Sequence, residues 1–566
     1  MWCLYGESKV LAFRCFPLNN RRRPQRALSM NLSSPSPLVR EQGTFLSHVL
    51  MLVTGTALSQ IIGVAAMLLL TRLFAPDAFG LLALFMTTTS VFSVLGGARY
   101  ELAIMLPEHD ADAANVFWGA VLVLTAICAV CLCVVAAFPD RIAAMLREPS
   151  FVPWLWLVPP TIFINGLNQV MSYWCGRTKR FRKVALSRII QAIAAVVVQV
   201  GLYIEHASGG AALISGWILG QAVGTAFLIV DSACSDGRFL WGSAKAKQIF
   251  ALLRTYRNFA LYKAPYSFIS NASSQLVIVV LRFFSDLGTV GLFSMANRAV
   301  FLPVTLISSS INQVFYQRAA TERSERKLET FVNRVLRMQV VLMTPLVIFA
   351  AFDSKFLFTK IFGARWALSG QFAAILAFAG YMYFLVSWLD RLFDVRQRQR
   401  LALALEIVGN GLSLGALAAT LFFLHRPVLA VAAFSSAEVI FCTIWLFWAY
   451  RVAGFNVRSL RGVVWDLMRV GLPVLACLTT IHAVLQGWAA VLSSAVIVLA
   501  VQTSLYFRYV RRHLSARPDE STVLLLSQQT ASVPHEPVFR DDDDPSLRSD
   551  PRSTEVRFAG TRVLPR

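Results

Sequence analysis

From about residue 46 the chain alternates apolar runs with short polar connections, and each run holds the roughly 20 residues that cross a bilayer as a helix. The runs lie near 47–70, 78–98, 114–138, 152–174, 184–204, 210–231, 261–283, 288–316, 331–351, 368–390, 400–423, 427–450, 464–484 and 487–508. The pattern predicts fourteen transmembrane helices. Two runs between Tyr262 and Arg318 depart from a plain apolar design. Ser267, Asn271, Ser274 and Gln275 recur at helical spacing in the seventh, and Arg298, Thr305, Ser309 and Asn312 do so in the eighth. Each of these helices therefore has one wet stripe. Charged and amide groups are costly in hydrocarbon unless they face partners or a water-filled cavity, so paired wet stripes point to a solute path.

The connections carry the next signal. Even-numbered connections and both tails hold basic clusters, such as Arg177, Lys179, Arg180, Arg182 and Lys183, or Arg391, Arg396, Arg398 and Arg400; odd-numbered ones are nearly bare. The positive-inside rule then places both termini in the cytoplasm. Residues 1–44 form a leader expected to be disordered, with no run long enough for a signal core, and Met30 is an alternative start. The expected parts are a six-helix lobe at 45–235, a basic cytoplasmic linker at 236–260, a second six-helix lobe at 261–450, an extra helix pair at 451–512 and a disordered acidic tail at 513–566.

Composition narrows the function class. The 566 residues are 56% hydrophobic and 15% charged, with a mean hydropathy of +0.59, which excludes a soluble domain. A net charge of +22 from short interhelical clusters reflects topology rather than nucleic-acid binding. Cys128, Cys131 and Cys133 lie in an apolar run without histidine or carboxylate neighbours, so no metal or cofactor is expected. Gly237 to Ser243 lacks the lysine of a phosphate-cradling loop, which removes an ATP-driven pump. The connections on the bare side are too short and histidine-poor for an enzyme.

An internal repeat is visible. Ser59-Gln60 precedes an apolar run, a loop and Phe79-Gly80-Leu81-Leu82; Ser274-Gln275 precedes Val290-Gly291-Leu292-Phe293, with a gap of four residues. Six helices separate the copies, so the two lobes enter from the same side and are related by a pseudo-two-fold axis along the membrane normal.

Gly97-Ala98-Arg99-Tyr100-Glu101-Leu102-Ala103-Ile104-Met105-Leu106-Pro107, Tyr173-Trp174 before Arg177-Thr178-Lys179-Arg180-Phe181, and Leu302-Pro303 leading to Asn312-Gln313-Val314-Phe315-Tyr316 resemble bacterial polysaccharide-biosynthesis flippases of the Wzx type. These belong to the multidrug/oligosaccharidyl-lipid/polysaccharide exporter superfamily, and the resemblance covers about residues 45–450. It implies an inner-membrane protein that moves undecaprenyl-pyrophosphate-linked oligosaccharide, such as an O-antigen or exopolysaccharide unit, between leaflets by alternating access. It also implies a polysaccharide polymerase and a chain-length regulator as partners. A drug/cation antiporter and a peptidoglycan-precursor flippase of the same superfamily are the alternatives.

Such a cargo needs cations for phosphate, amides for sugar hydroxyls and an opening to lipid. Arg298, inside an apolar helix, is the candidate pyrophosphate clamp, or else a structural partner of Asp286 or Glu438. Asn271, Gln275, Asn312 and Gln60 are candidate head-group contacts, as are Asn168 and Gln169, which follow Pro159-Pro160, where a bend is expected. Arg99 and Glu101 either line the entrance or form an interfacial ion pair. Arg188 shares a face with Gln191 and Gln199. Glu406 and Glu438 are the ion-coupling candidates, with His482 as a further titratable group.

Overall fold

A computed structural model describes residues 58–514 apart from 208, 322, 323 and 397. The expected leader, the start of the first apolar run and the tail beyond Leu514 lie outside the described residues. All regular elements within them are helices. Fourteen long ones follow in order: α1 Leu58–Leu73, α2 Pro76–Gly96, α3 Asp110–Ala137, α4 Val158–Arg177, α5 Phe181–Ile204, α6 Gly209–Ser243, α7 Ala264–Phe284, α8 Leu287–Thr321, α9 Glu325–Ile361, α10 Ala367–Val386, α11 Gln399–Leu424, α12 Pro427–Ala453, α13 Leu460–Val484 and α14 Trp488–Leu514. Their ends are written locally. Proline opens α2 and α12 at the first helical position, where no amide is lost, and Gly454 closes α12 with φ of +77°.

A helix occupies each expected position, but length and apolarity qualify eleven as membrane spans, or twelve if one bent pair is counted together. The expected count of fourteen exceeds this because α1 is described only from Leu58 and the unbroken described stretch of α7 is Gln275–Phe284. The bend expected at Pro159-Pro160 is found just before them: Pro149–Leu155 meets α4 at 48°. The prolines start α4 rather than breaking it.

The two six-helix halves meet where α2 crosses α8, and glycine is what lets them meet. A Cβ on Gly80 would lie 1.9 Å from the carbonyl oxygen of Leu287, and one on Gly291 would lie 2.0 Å from that of Pro76. Each glycine also packs against the other's amide nitrogen, so the contact is reciprocal, as a two-fold between α2 and α8 requires. These are the repeat-equivalent glycines expected from sequence. The alignment around them changes, however. Arg72-Leu73-Phe74-Ala75 ends α1 as Arg282-Phe283-Phe284-Ser285 ends α7, eight and nine residues before the respective glycines. Counting back from these arginines pairs Gln275 with Ala65, so Gln60 and Gln275 are not equivalent positions.

Within the first half, Gly216, Gly220 and Gly224 of α6 press against Gln199, Ala195 and Gln191 of α5, a small-residue stripe that brings two helices close. The linker carries a short helix, Ala246–Thr255, whose Leu253 carbonyl accepts a hydrogen bond from the Tyr100 hydroxyl at 3.1 Å. α13 docks on α9 through Arg337–Asp466 at 3.2 Å and an Asn333–Ser459 bond at 3.0 Å. Residues beyond Gln502 form a separate compact unit, of which the described part is the end of α14.

Candidate functional site

Arg298 lies eleven residues into α8, about 16 Å along the axis and near half the thickness of a bilayer core. Its side chain keeps exposed surface although protein crowds it on nearly all sides, as a group at the edge of a gap between helices does. Its guanidinium reaches across the seam to α1, with one terminal nitrogen 3.8 Å from where a Cβ on Gly63 would stand. A side chain there would crowd it. Among the described residues no carboxylate lies within ion-pair distance of Arg298. Asp286 instead accepts from the Thr289 hydroxyl at 2.6 Å. Neither expected structural partner takes up the arginine. Gln60 shares the Gly63 face of α1 and is half-buried.

The wet stripe of α7 faces the other half, but its amides are occupied there. Asn271 Nδ2 donates to the Ser90 carbonyl at 2.9 Å, and the Thr87 hydroxyl donates to Gln275 Oε1 at 3.2 Å. These bonds tie α7 to α2. On α8, Thr305 is exposed and bonds back to its own helix, whereas Asn312 Oδ1 accepts from Arg391 Nε at 3.0 Å. The side chains of Ser274 and Ser309 lie outside the described residues.

The other candidates scatter. Glu101 is buried, 3.5 Å from Arg99, in a turn where Ala98 and Arg99 adopt left-handed φ of 43° and 62°. Such conformations cost non-glycine residues about 1–2 kcal/mol each. Burial pushes the Glu101 carboxyl above its usual range, and Arg99 only partly opposes this. Glu101 therefore faces the protein rather than an entrance. Arg188 is exposed on α5, but Gln191 and Gln199 of its stripe pack on the α6 glycines, and Gln199 donates to the Leu213 carbonyl at 3.0 Å. Asn168 bonds Thr225 of α6 at 3.1 Å, while Gln169 is exposed. Glu406 and Glu438 lie inside the second half, on α11 and α12. Among the described residues no cluster could hold a metal ion.

One feature escaped the sequence: the use made of the few arginines on the bare side. Arg72 donates to the carbonyls of Lys360, at 3.0 Å, and Ile361, and Arg365 returns a bond to the Arg72 carbonyl at 3.2 Å. Trp366 Nε1 donates to the Thr71 carbonyl at 3.0 Å. In the mirrored position Arg147 donates to the Phe283 carbonyl at 2.9 Å with its guanidinium 3.8 Å from that ring, while Arg282 pairs with Glu148 at 2.7 Å. Each lobe's α1 or α7 end is thus clasped by the other lobe's connection at the cation-poor end of the seam. Sequence offered one signal, Arg72 and Arg282 each within the last turn of the helix that opens its half.

The described residues thus form a two-lobe helical bundle with a polar seam that is clasped at one end. Fold comparison agrees: a structure titled "Lipid II flippase MurJ, inward closed conformation" superposes with a TM-score of 0.64 at 14% identity, covering 82% of this chain and all of that one. An inward-facing multidrug resistance MATE family transporter of the MOP superfamily gives 0.54 at 14% identity, over 70% and 95%. The family model described as "Polysaccharide biosynthesis protein" matches residues 69–370, more than half of the chain, which therefore belongs to that family. The succinoglycan biosynthesis transport protein ExoT of Rhizobium meliloti (strain 1021) is 23% identical over 319 residues, 55% of this chain and 60% of that relative.

Proposed function

We propose that this protein translocates an undecaprenyl-pyrophosphate-linked oligosaccharide repeat unit from the cytoplasmic to the periplasmic leaflet of a bacterial inner membrane, for assembly of a surface polysaccharide. The cation-rich end is cytoplasmic and both termini lie there. The observation that carries this reading is Arg298: a cation deep in a crowded part of the bundle, facing the other lobe across a glycine and without an acidic partner among the described residues. A doubly charged pyrophosphate is a fitting guest for it. The family and the exopolysaccharide transporter ExoT support a glycan cargo. In this conformation the clasped end is periplasmic, so the cargo would be taken up from the opposite side. Gln60 on the Gly63 face and the exposed Thr305 would meet sugar hydroxyls, and Glu406 or Glu438 would carry the coupling ion. A cationic-drug exporter would instead need an acid at the position of Arg298.

Deletion in the native host is the test. Loss of a surface polysaccharide with build-up of its lipid-linked repeat unit is the expected outcome. Accumulation of cationic drugs, or arrest of peptidoglycan synthesis with build-up of its lipid-linked precursor, would overturn it.

A further inference from the structure

The outer face of α13 is unlike the other lipid-facing surfaces of the bundle. One side of this helix is zipped onto α9 through Ser459 and Asp466, with Val463 and Val470 buried between them. The opposite side presents Arg458, Arg461, Trp465, Arg469 and Leu472 at steps of three and four, all along one groove of about 840 Å³. Among the described residues none of these three arginines has a carboxylate within ion-pair distance. Arg469 is the telling one. It stands nine residues into the helix, about 14 Å from its start, on a face that looks into lipid. A bare guanidinium at that depth costs on the order of 3 kcal/mol, so it must reach upward or be neutralised. Its guanidinium is 5.7 Å from the Trp465 ring, which steers it toward Arg461 and the interface.

We infer that this groove is a binding site for an anionic phospholipid of the leaflet at the cation-rich end. Arg458, Arg461 and Arg469 hold its phosphate, and its acyl chains lie along Trp465 and Leu472. Three cations above an apolar floor complement a phosphodiester on two acyl chains, and no anion among the described residues pairs with them. The site lies on the outside of the extra helix pair, apart from the seam that holds Arg298, and it does not depend on what the seam carries.

The test uses the full chain, purified in detergent, stripped of lipid and titrated with phosphatidylglycerol, cardiolipin or phosphatidylcholine while bound lipid is counted by native mass spectrometry. Anionic lipid should be retained at least tenfold better than phosphatidylcholine, and R461Q/R469Q should lower that retention at least fivefold. R426Q, at the other end of the bundle, should not change it. Equal retention of charged and zwitterionic lipid, or an unaffected double variant, would overturn the assignment. Displacement of the lipid by millimolar inorganic pyrophosphate would overturn it too, by showing a site for a free phosphate anion rather than for a lipid.

Discussion

Arginine does opposite work in two regions of the same seam. At the cation-poor end Arg72, Arg147, Arg282 and Arg365 all bond across the lobe boundary to backbone carbonyls, and Arg282 also to Glu148. At mid-depth Arg298 crosses the same boundary toward Gly63 and meets no acceptor among the described residues. The difference is not in the arginine but in what stands opposite. Helix ends and loops expose carbonyls that have no intrahelical partner, so an arginine there finds acceptors for nothing. In mid-helix every carbonyl is already bonded, and an unpaired arginine keeps its donors for a ligand.

This contrast can be attacked at points of decreasing leverage. The glycine crossing supports both regions, and its Cβ positions meet backbone atoms that no rotamer change can move. Gly80→Leu or Gly291→Leu should therefore cost at least about 3 kcal/mol and abolish the folded monomer, read as loss of a monodisperse chromatography peak. Next comes Arg298→Ala, expected to lower translocation of lipid-linked oligosaccharide in inverted vesicles by more than tenfold with unchanged expression and thermal stability. Near-full transport in that variant would remove the clamp. Arg298→Lys should fall between, since a point charge replaces a bidentate fork. The clasp gives a smaller effect: Arg282→Gln forfeits a hydrogen bond between charged groups worth about 2 kcal/mol and should speed amide exchange in the α7–α8 connection. The exchanged pair Arg282→Glu with Glu148→Arg should slow it again if the ion pair is what holds the clasp. The mildest is Asn168→Ala, which removes one neutral bond to Thr225 and should lower stability by about 1 kcal/mol without altering transport. A transport defect at full stability would move Asn168 from packing to the cargo path.

Much of the architecture could be read without coordinates, because the membrane leaves so few options. Apolar runs of spanning length must be helices, and an echo six helices apart announces two lobes. The site was only partly legible. The stripe of α7 was recognised as polar, yet polarity does not say whether an amide waits for a sugar or bonds a neighbour; Asn271 and Gln275 do the latter with α2. Asn312 is spoken for by Arg391, and Gln199 by the Leu213 carbonyl. Glu101, in the most distinctive stretch of the chain, turns inward.

Sequence by itself determined that this is a helical membrane transporter with a repeated core and an arginine deep in one helix. Those properties follow from hydrophobic length, loop charge and spacing, all of which are local. Tertiary structure alone decided which polar groups are used up, that Gly80 and Gly291 meet each other, and that the bare side's arginines clasp one end of the seam. Each of these depends on which backbone or side chain arrives from elsewhere in the chain, and a hydrogen-bond donor carries no mark of the partner that will satisfy it.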